Sequence, residues 1–178
     1  MSQQIKEKGF SLIELIIVIS IIIIFSGFSL AAYNNFNEDR RLDEEASKLV
    51  DVFNLAAKKS AAGEIDSVYC TGIFHGYITK LSPQTNSYRL AQCCNIADPE
   101  NCKDNQNTKL VQTYSLASNY VIIVSPPGNT NILFRVLGRG TNLSRKTTVT
   151  IENTKVSKCI DIDVEQSGLV TTKAKYAC

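Results

Sequence analysis

Residues 10–33 constrain this chain more than any others. Between Phe10 and Tyr33 the only charged side chain is Glu14, and the run includes Ile21-Ile22-Ile23-Ile24. No proline interrupts it. A helix rises about 1.5 Å per residue and a bilayer core is roughly 30 Å thick, so such a helix is long enough to span it. A carboxylate inside hydrocarbon costs several kcal/mol unless it finds a partner, so Glu14 calls for a positive charge from elsewhere. An ordinary secretory signal has an apolar stretch of about 7–15 residues followed by a small-residue cleavage site. Here the apolar stretch is longer, no A-x-A pattern follows it, and the one peptidase-like boundary, Gly9-Phe10, precedes it. Lys6, Glu7 and Lys8 give the leader a small positive excess, which favours a cytoplasmic leader with the rest of the chain beyond the membrane.

The run Lys8-Gly9-Phe10-Ser11-Leu12-Ile13-Glu14-Leu15 resembles the type IV prepilin leader. The resemblance implies cleavage after Gly9, N-methylation of Phe10 and retention of the whole apolar helix. It also implies a prepilin peptidase/methyltransferase, other pilin or pseudopilin subunits and an inner-membrane assembly platform as partners. The chemistry behind it is direct. Cleavage would leave an α-amine on Phe10, mostly protonated near neutral pH, about one helical turn from Glu14. In helices packed side by side with an axial offset, Glu14 of one chain would meet the amine of its neighbour. A paired charge in an apolar bundle costs far less than an unpaired one, so Glu14 reads as a registry device. The alternative is a plain single-pass anchor with Glu14 idle near the headgroups.

The 178 residues, less the first thirty-odd, leave one soluble domain of ordinary size. A net charge of +2 makes no case for nucleic acid or an anionic surface. From Arg135 onward, eight Lys/Arg face four Asp/Glu, a modest basic bias. Six cysteines (Cys70, Cys93, Cys94, Cys102, Cys159, Cys178) all follow the apolar segment and fit an oxidising exterior. Cys159 and Cys178 are placed to tie the terminal strands, leaving the other four to pair around one loop. A zinc cluster is the rival, but there is no C-x-x-C and only one histidine, His75.

The helix is expected to continue beyond the apolar run. Leu42, Ala46, Leu49, Val50, Phe53, Ala56 and Ala57 recur at three- and four-residue spacing, with Asp43, Glu44, Glu45, Lys48 and Lys58 opposite. Gly63 is a stop signal, and Gly27 and Asn34-Asn35 are weak points. Strands are expected at 76–81 and 87–92, flanking a hairpin loop, then at 111–116, 120–125, 132–137, 147–152, 157–164 and 169–173. Residues 95–109 read as a surface loop. Phe134, Gly138-Arg139-Gly140, Cys159-Ile160-Asp161-Ile162 and Ser167-Gly168-Leu169-Val170 are similar to the GspH/FimT group of pseudopilins and minor pilins. That group has a long N-terminal helix carrying a β-sheet domain. Many major pilins have a kinking proline in the membrane half of the helix, and none lies between Phe10 and Gly63 here.

Catalytic constellations do not emerge. His75 has no second imidazole, and no G-x-S-x-G, H-E-x-x-H or Walker sequence occurs. Asp161, Asp163 and Glu165 alternate along one strand, which offers either a calcium-binding face or a solvated sheet face opposite Ile160, Ile162 and Val164. Some FimT-type relatives bind DNA through basic residues near the C-terminus. The resemblance makes Lys173 and Lys175, with Arg139, Arg145 and Lys146, the candidates here. Phosphate contact needs clustered cations, and these are dispersed.

The sequence thus specifies an α+β, pilin-like, disulfide-bonded fold: a long N-terminal α-helix, its first half membrane-spanning, packed on an antiparallel β-sheet domain. Its parts are a leader (1–9), a transmembrane assembly helix (10–33), an amphipathic continuation (34–63) and a β-rich head (64–178). The expected role is a structural, non-enzymatic subunit, a minor pilin or pseudopilin of a type IV pilus or type II secretion-type filament. It needs no cofactor or metal. It would begin as a single-pass inner-membrane protein with its head outside the cytoplasm, then join a periplasmic or extracellular filament. A DNA-binding minor pilin for DNA uptake is the alternative.

Overall fold

The computed structural model describes residues 11–95, 102, 108–117 and 119–178, with the side chains of 28–32 excepted. Helix α1 (Leu12–Ala61) is followed by β1 (Phe74–Ser82), β2 (Ser87–Cys94), β3 (Thr108–Ser115), β4 (Val121–Ser125), β5 (Thr130–Arg135), β6 (Thr147–Asn153), β7 (Lys158–Val164), β8 (Val170–Thr172) and β9 (Tyr176–Ala177). The chain divides into two units, residues 1–37 and residues 38–178. In the first unit the described backbone is helical from Leu12 onward, through Gly27 and Asn34-Asn35.

In the second unit α1 becomes one-sided. Leu42, Ala46, Leu49, Phe53 and Ala56 are buried at the expected spacing, and Val52 joins them. Val50 and Ala57 pack at the margin. Glu45 departs from expectation: it is buried, not on the polar face, because positions 42, 45, 46 and 49 share one side of the helix. The helix ends at Ala61, with the Gly63 N–H on the Ser60 carbonyl and the Glu64 N–H on the Lys59 carbonyl. Gly63 takes the left-handed conformation, φ +64°, that closes this type of C-cap without a Cβ penalty.

Two antiparallel sheets, rather than one, cover the helix. The first has order β3-β2-β1-β5; the second runs β4-β6-β7-β8, with β9 also pairing β7. The β1–β2 hairpin turns through a short 3-10 segment, Pro83–Thr85. One hydrophobic cluster joins the helix stripe to Tyr77, Leu81, Leu90 and Phe134 of the first sheet and to Val149, Ile151, Ile160 and Ile162 of the second. The Phe53 and Phe134 rings lie 6.3 Å apart. A smaller cluster behind the first sheet holds Ile78, Ala91, Cys93, Cys102 and Leu133. At Gly76 (φ +135°) a Cβ would run into the Phe134 carbonyl, so glycine is what lets β1 and β5 close up there.

Several element ends differ from the expected ones. β3 starts at Thr108, inside the expected loop, and β8 is only Val170–Thr172. Leu137 lies in a 3-10 turn, Val136–Gly138, with φ +58° instead of extending β5. The short β9 was not expected. The disulfides are Cys159–Cys178, as expected, with Cys70–Cys94 and Cys93–Cys102 around the loop.

Phe53 is fully buried where helix and both sheets meet. Phe53→Ala is expected to cost about 3–5 kcal/mol of head stability. Leu55→Ala, on the exposed side, is expected to cost well under 1 kcal/mol. Urea unfolding followed by circular dichroism measures both, and equal losses would contradict this packing.

Candidate assembly site

The first unit presents an apolar surface all round. Leu12, Ile13, Leu15, Ile16, Ile17, Val18, Ile19 and Ile21–Ile24 are each about half exposed or more, and Phe25 is 69 % exposed. Two of its serines are satisfied internally: the Ser20 hydroxyl donates to the Ile16 carbonyl (2.8 Å) and the Ser26 hydroxyl to the Ile22 carbonyl (2.7 Å). A hydroxyl that finds its acceptor one turn back adds little cost in an apolar surrounding. Glu14 is exposed in the first turn, where the helix dipole favours a carboxylate. It has no ion pair among the described residues. Gly9 and Phe10, the expected cleavage and methylation positions, lie outside the described residues. Among the described residues no helix is long and apolar enough to cross a membrane. Of the expected span 10–33, side chains are described only for 11–27 and Tyr33.

At the other end of the helix's polar side, a collar of charges joins residues 38–43 to the second sheet. Glu38 is buried; the Asn153 amide donates to its carboxylate (3.2 Å) and to its backbone carbonyl (3.0 Å), while Arg41 and Lys155 pair with it at 3.2 and 3.4 Å. The Asn153 hydrogen bond, outweighing burial, holds the Glu38 carboxyl below its ordinary value. Lys158 reaches Asp39 at 2.6 Å and Lys175 reaches Asp43 at 3.0 Å. No local pattern announces this collar, since its helix-to-sheet links join residues more than a hundred positions apart.

On the outward face of β6–β7–β8 the two aspartates are engaged by hydroxyls and lysines of the chain itself. Asp163 is buried, accepts from the Thr148 hydroxyl (2.7 Å), and pairs with Lys146 (3.0 Å) and Lys173 (3.5 Å). Asp161 accepts from the hydroxyls of Thr150 (2.8 Å) and Tyr176 (2.9 Å), with Lys173 at 3.3 Å. Glu165 lies past the end of β7, in a turn closed by the Gly168 N–H on its carbonyl. Asp161 and Asp163 alternate along β7 as expected and Glu165 does not extend the row, while threonines on β6 with Lys146 and Lys173 close over the two aspartates.

The candidate DNA cations are therefore largely committed. Lys146 and Lys173 hold Asp163, and Lys175 holds Asp43. Arg139 and Arg145 are exposed, in the turns after β5 and before β6. His75 is partly buried in β1. Among the described residues, Glu152, Cys159 and Cys178 come close enough to suggest metal ligands, but both cysteines are already in one disulfide.

The Thr148 hydrogen bond leads the lowering of the Asp163 pKa, against burial and with help from Lys146 and Lys173. For Asp161, burial opposes the shift and Thr150, Tyr176 and Lys173 overcome it. A lowered folded-state pKa adds stability that is present above the unfolded value, 3.8, and is lost as pH falls through the folded one. Asp163→Asn is thus expected to cost about 1 kcal/mol at neutral pH, and the gap to the parent should shrink below about pH 3.8. Urea unfolding at pH 7 and at pH 3 measures it; a gap that grows in acid would reverse the sign.

Residues 5–30 match a family model described as the prokaryotic N-terminal methylation motif. No curated protein and no solved structure matches the chain. The matched stretch contains residues 5–9 of the expected leader, Glu14 and most of the exposed apolar helix, and in the second unit the helix stripe packs on antiparallel sheets closed by disulfides. The chain carries a prokaryotic N-terminal methylation motif, which supports a type IV pilin-like prepilin.

Proposed function

We propose that this protein is a minor pilin or pseudopilin, a structural subunit of a type IV pilus or type II secretion-type filament. The observation that carries the reading is the methylation motif at residues 5–30 opening directly into a helix whose large apolar side chains from Leu12 to Phe25 stand exposed. Such a surface needs cover, first from lipid and then from the helices of neighbouring subunits. In the precursor, residues 10–33 cross the inner membrane with the head outside the cytoplasm. A prepilin peptidase cuts after Gly9 and methylates Phe10, and the inner-membrane platform adds the subunit to the filament. Glu14 then pairs with the Phe10 amine of a neighbour and sets the axial step.

The bonded serines are compatible with an apolar surrounding, since their hydroxyls already have acceptors one turn back. The head's role is presentation: its core is closed by packing and its described basic residues are largely held by carboxylates. A DNA-receiving role draws less support, because Lys146, Lys173 and Lys175 sit in ion pairs.

Intact-mass analysis of protein recovered from assembled fibres is expected to find an N-terminus at Phe10 carrying one methyl group; a retained Met1 would defeat the reading. Glu14→Ala is expected to insert normally and to lose most filament incorporation, measured by immunoblot of sheared fibres against the membrane fraction. Incorporation at the parent level would remove the registry role.

A further inference from the structure

The edge of the first sheet differs from its other side in a way that suggests a partner. At the β5 edge the segment 140–142 folds back as a cover: the Arg135 N–H donates to the Gly140 carbonyl (2.8 Å), the Asn142 N–H to the Leu133 carbonyl (3.0 Å), and the Leu133 N–H to the Asn142 side chain (2.9 Å). At the opposite edge, β3 pairs only with β2 among the described residues. In an antiparallel ladder every second residue of such a strand turns its N–H and C=O away from its neighbour. Proteins usually blunt an open edge with prolines or charges. β3 has eight residues, no proline and one charge, Lys109, which is drawn aside to Asp66. Leu110 and Val111 stand 53 % and 46 % exposed along it.

Clefts open on both faces of this same edge. On the face away from α1, a cleft of about 160 Å³ is lined by Leu110, Ala91, Thr108, Lys80 and the exposed Arg89. On the other face, a cleft of about 340 Å³ includes Leu110, Val111 and Ile65, beside the Lys59–Glu64 and Lys109–Asp66 pairs. A strand added to an edge sends alternate side chains to opposite faces, so it would fill both clefts at once. Arg89 has no ion pair among the described residues, which asks for a carboxylate on its side. Apolar Ile65 and Val111 ask for an aliphatic side chain on theirs. A second copy of β3 is a poor occupant, because it carries Lys109 and no acidic residue.

We propose that the β3 edge is a docking site for an extended segment of a partner protein in which aliphatic and acidic residues alternate. That segment adds as a further strand beside β3, its carboxylate toward Arg89 and its aliphatic side chains toward Ile65 and Val111. The site uses no residue of the first unit, so its test does not depend on filament assembly.

The test uses the full chain in detergent and capped seven-residue peptides of alternating valine and glutamate or alternating valine and lysine. Binding is followed by peptide fluorescence anisotropy, and hydrogen exchange locates it. The glutamate peptide is expected to bind roughly five-fold tighter than the lysine peptide and to slow amide exchange in β3, and Arg89→Glu is expected to reverse the preference. A glutamate peptide methylated on alternate backbone nitrogens is expected to lose binding, because its ladder bonds are gone. Arg89 is exposed, so the variant should keep the parent's circular dichroism. Absence of binding, a preference untouched by Arg89→Glu, or protection outside β3 would each overturn the proposal. So would self-association of the full chain through β3.

Discussion

Every other feature of this protein is arranged around one helix whose apolar surface must be covered in two different ways. In its second half the cover comes from the chain itself: Leu42, Ala46, Leu49, Phe53 and Ala56 disappear beneath two sheets. In its first half the large aliphatic side chains from Leu12 to Ile24 stand exposed. Burying a side chain such as isoleucine or leucine is worth about 1.5–3 kcal/mol, so a run of ten or more represents a large unspent driving force. That is the thermodynamic content of the N-terminal motif. In the proposed role the helix supplies the association surface of the subunit.

The boundary between the two regimes is marked by charge. Residues 38–43 carry Glu38, Asp39, Arg40, Arg41 and Asp43, and the second sheet answers with Asn153, Lys155, Lys158 and Lys175. Isolated surface pairs stabilise little, but Glu38 is buried and has three partners, so removing one of them leaves a desolvated carboxylate short of hydrogen bonds. The contribution is therefore as much one of register as of energy. It fixes which turn of α1 is the first to be gripped by the head.

The helix and most strands were legible in the sequence because both depend on periodicity within a short window. The stripe from Leu42 to Ala57, the stop at Gly63 and the hairpin around Pro83 all follow from neighbours in the chain. What was not legible depends on residues distant in sequence. Glu45 read as polar surface, yet the sheets close over it and leave one of its oxygens without a partner. Asp161 and Asp163 read as a free acidic row, but Thr148 and Thr150 lie across the ladder and Lys173 comes from the tail. Strand period shows which residues share a face, and it carries no record of what covers that face. The division into two sheets was hidden for the same reason: β5 returns to pair β1 while β6 starts a new ladder with β4 and β7.

The same distinction explains why basic composition near the C-terminus is a poor guide to function here. From Arg135 onward the cations outnumber the acids, but the excess is offset by carboxylates supplied from helix α1, Asp39 and Asp43, rather than left to face solvent as a field. Lys158 and Lys175 are thus better understood as the sheet's contribution to holding the helix. Phosphate recognition depends on several cations converging on one surface. In this head the cations converge on acidic side chains of the protein itself, and the tail bearing Lys173 and Lys175 is tied back to β7 by Cys159–Cys178. Disulfide, β9 and lysine pairs act on the same few residues, so the C-terminal segment serves as a strap across sheet and helix, and its positive charge is the means of that attachment.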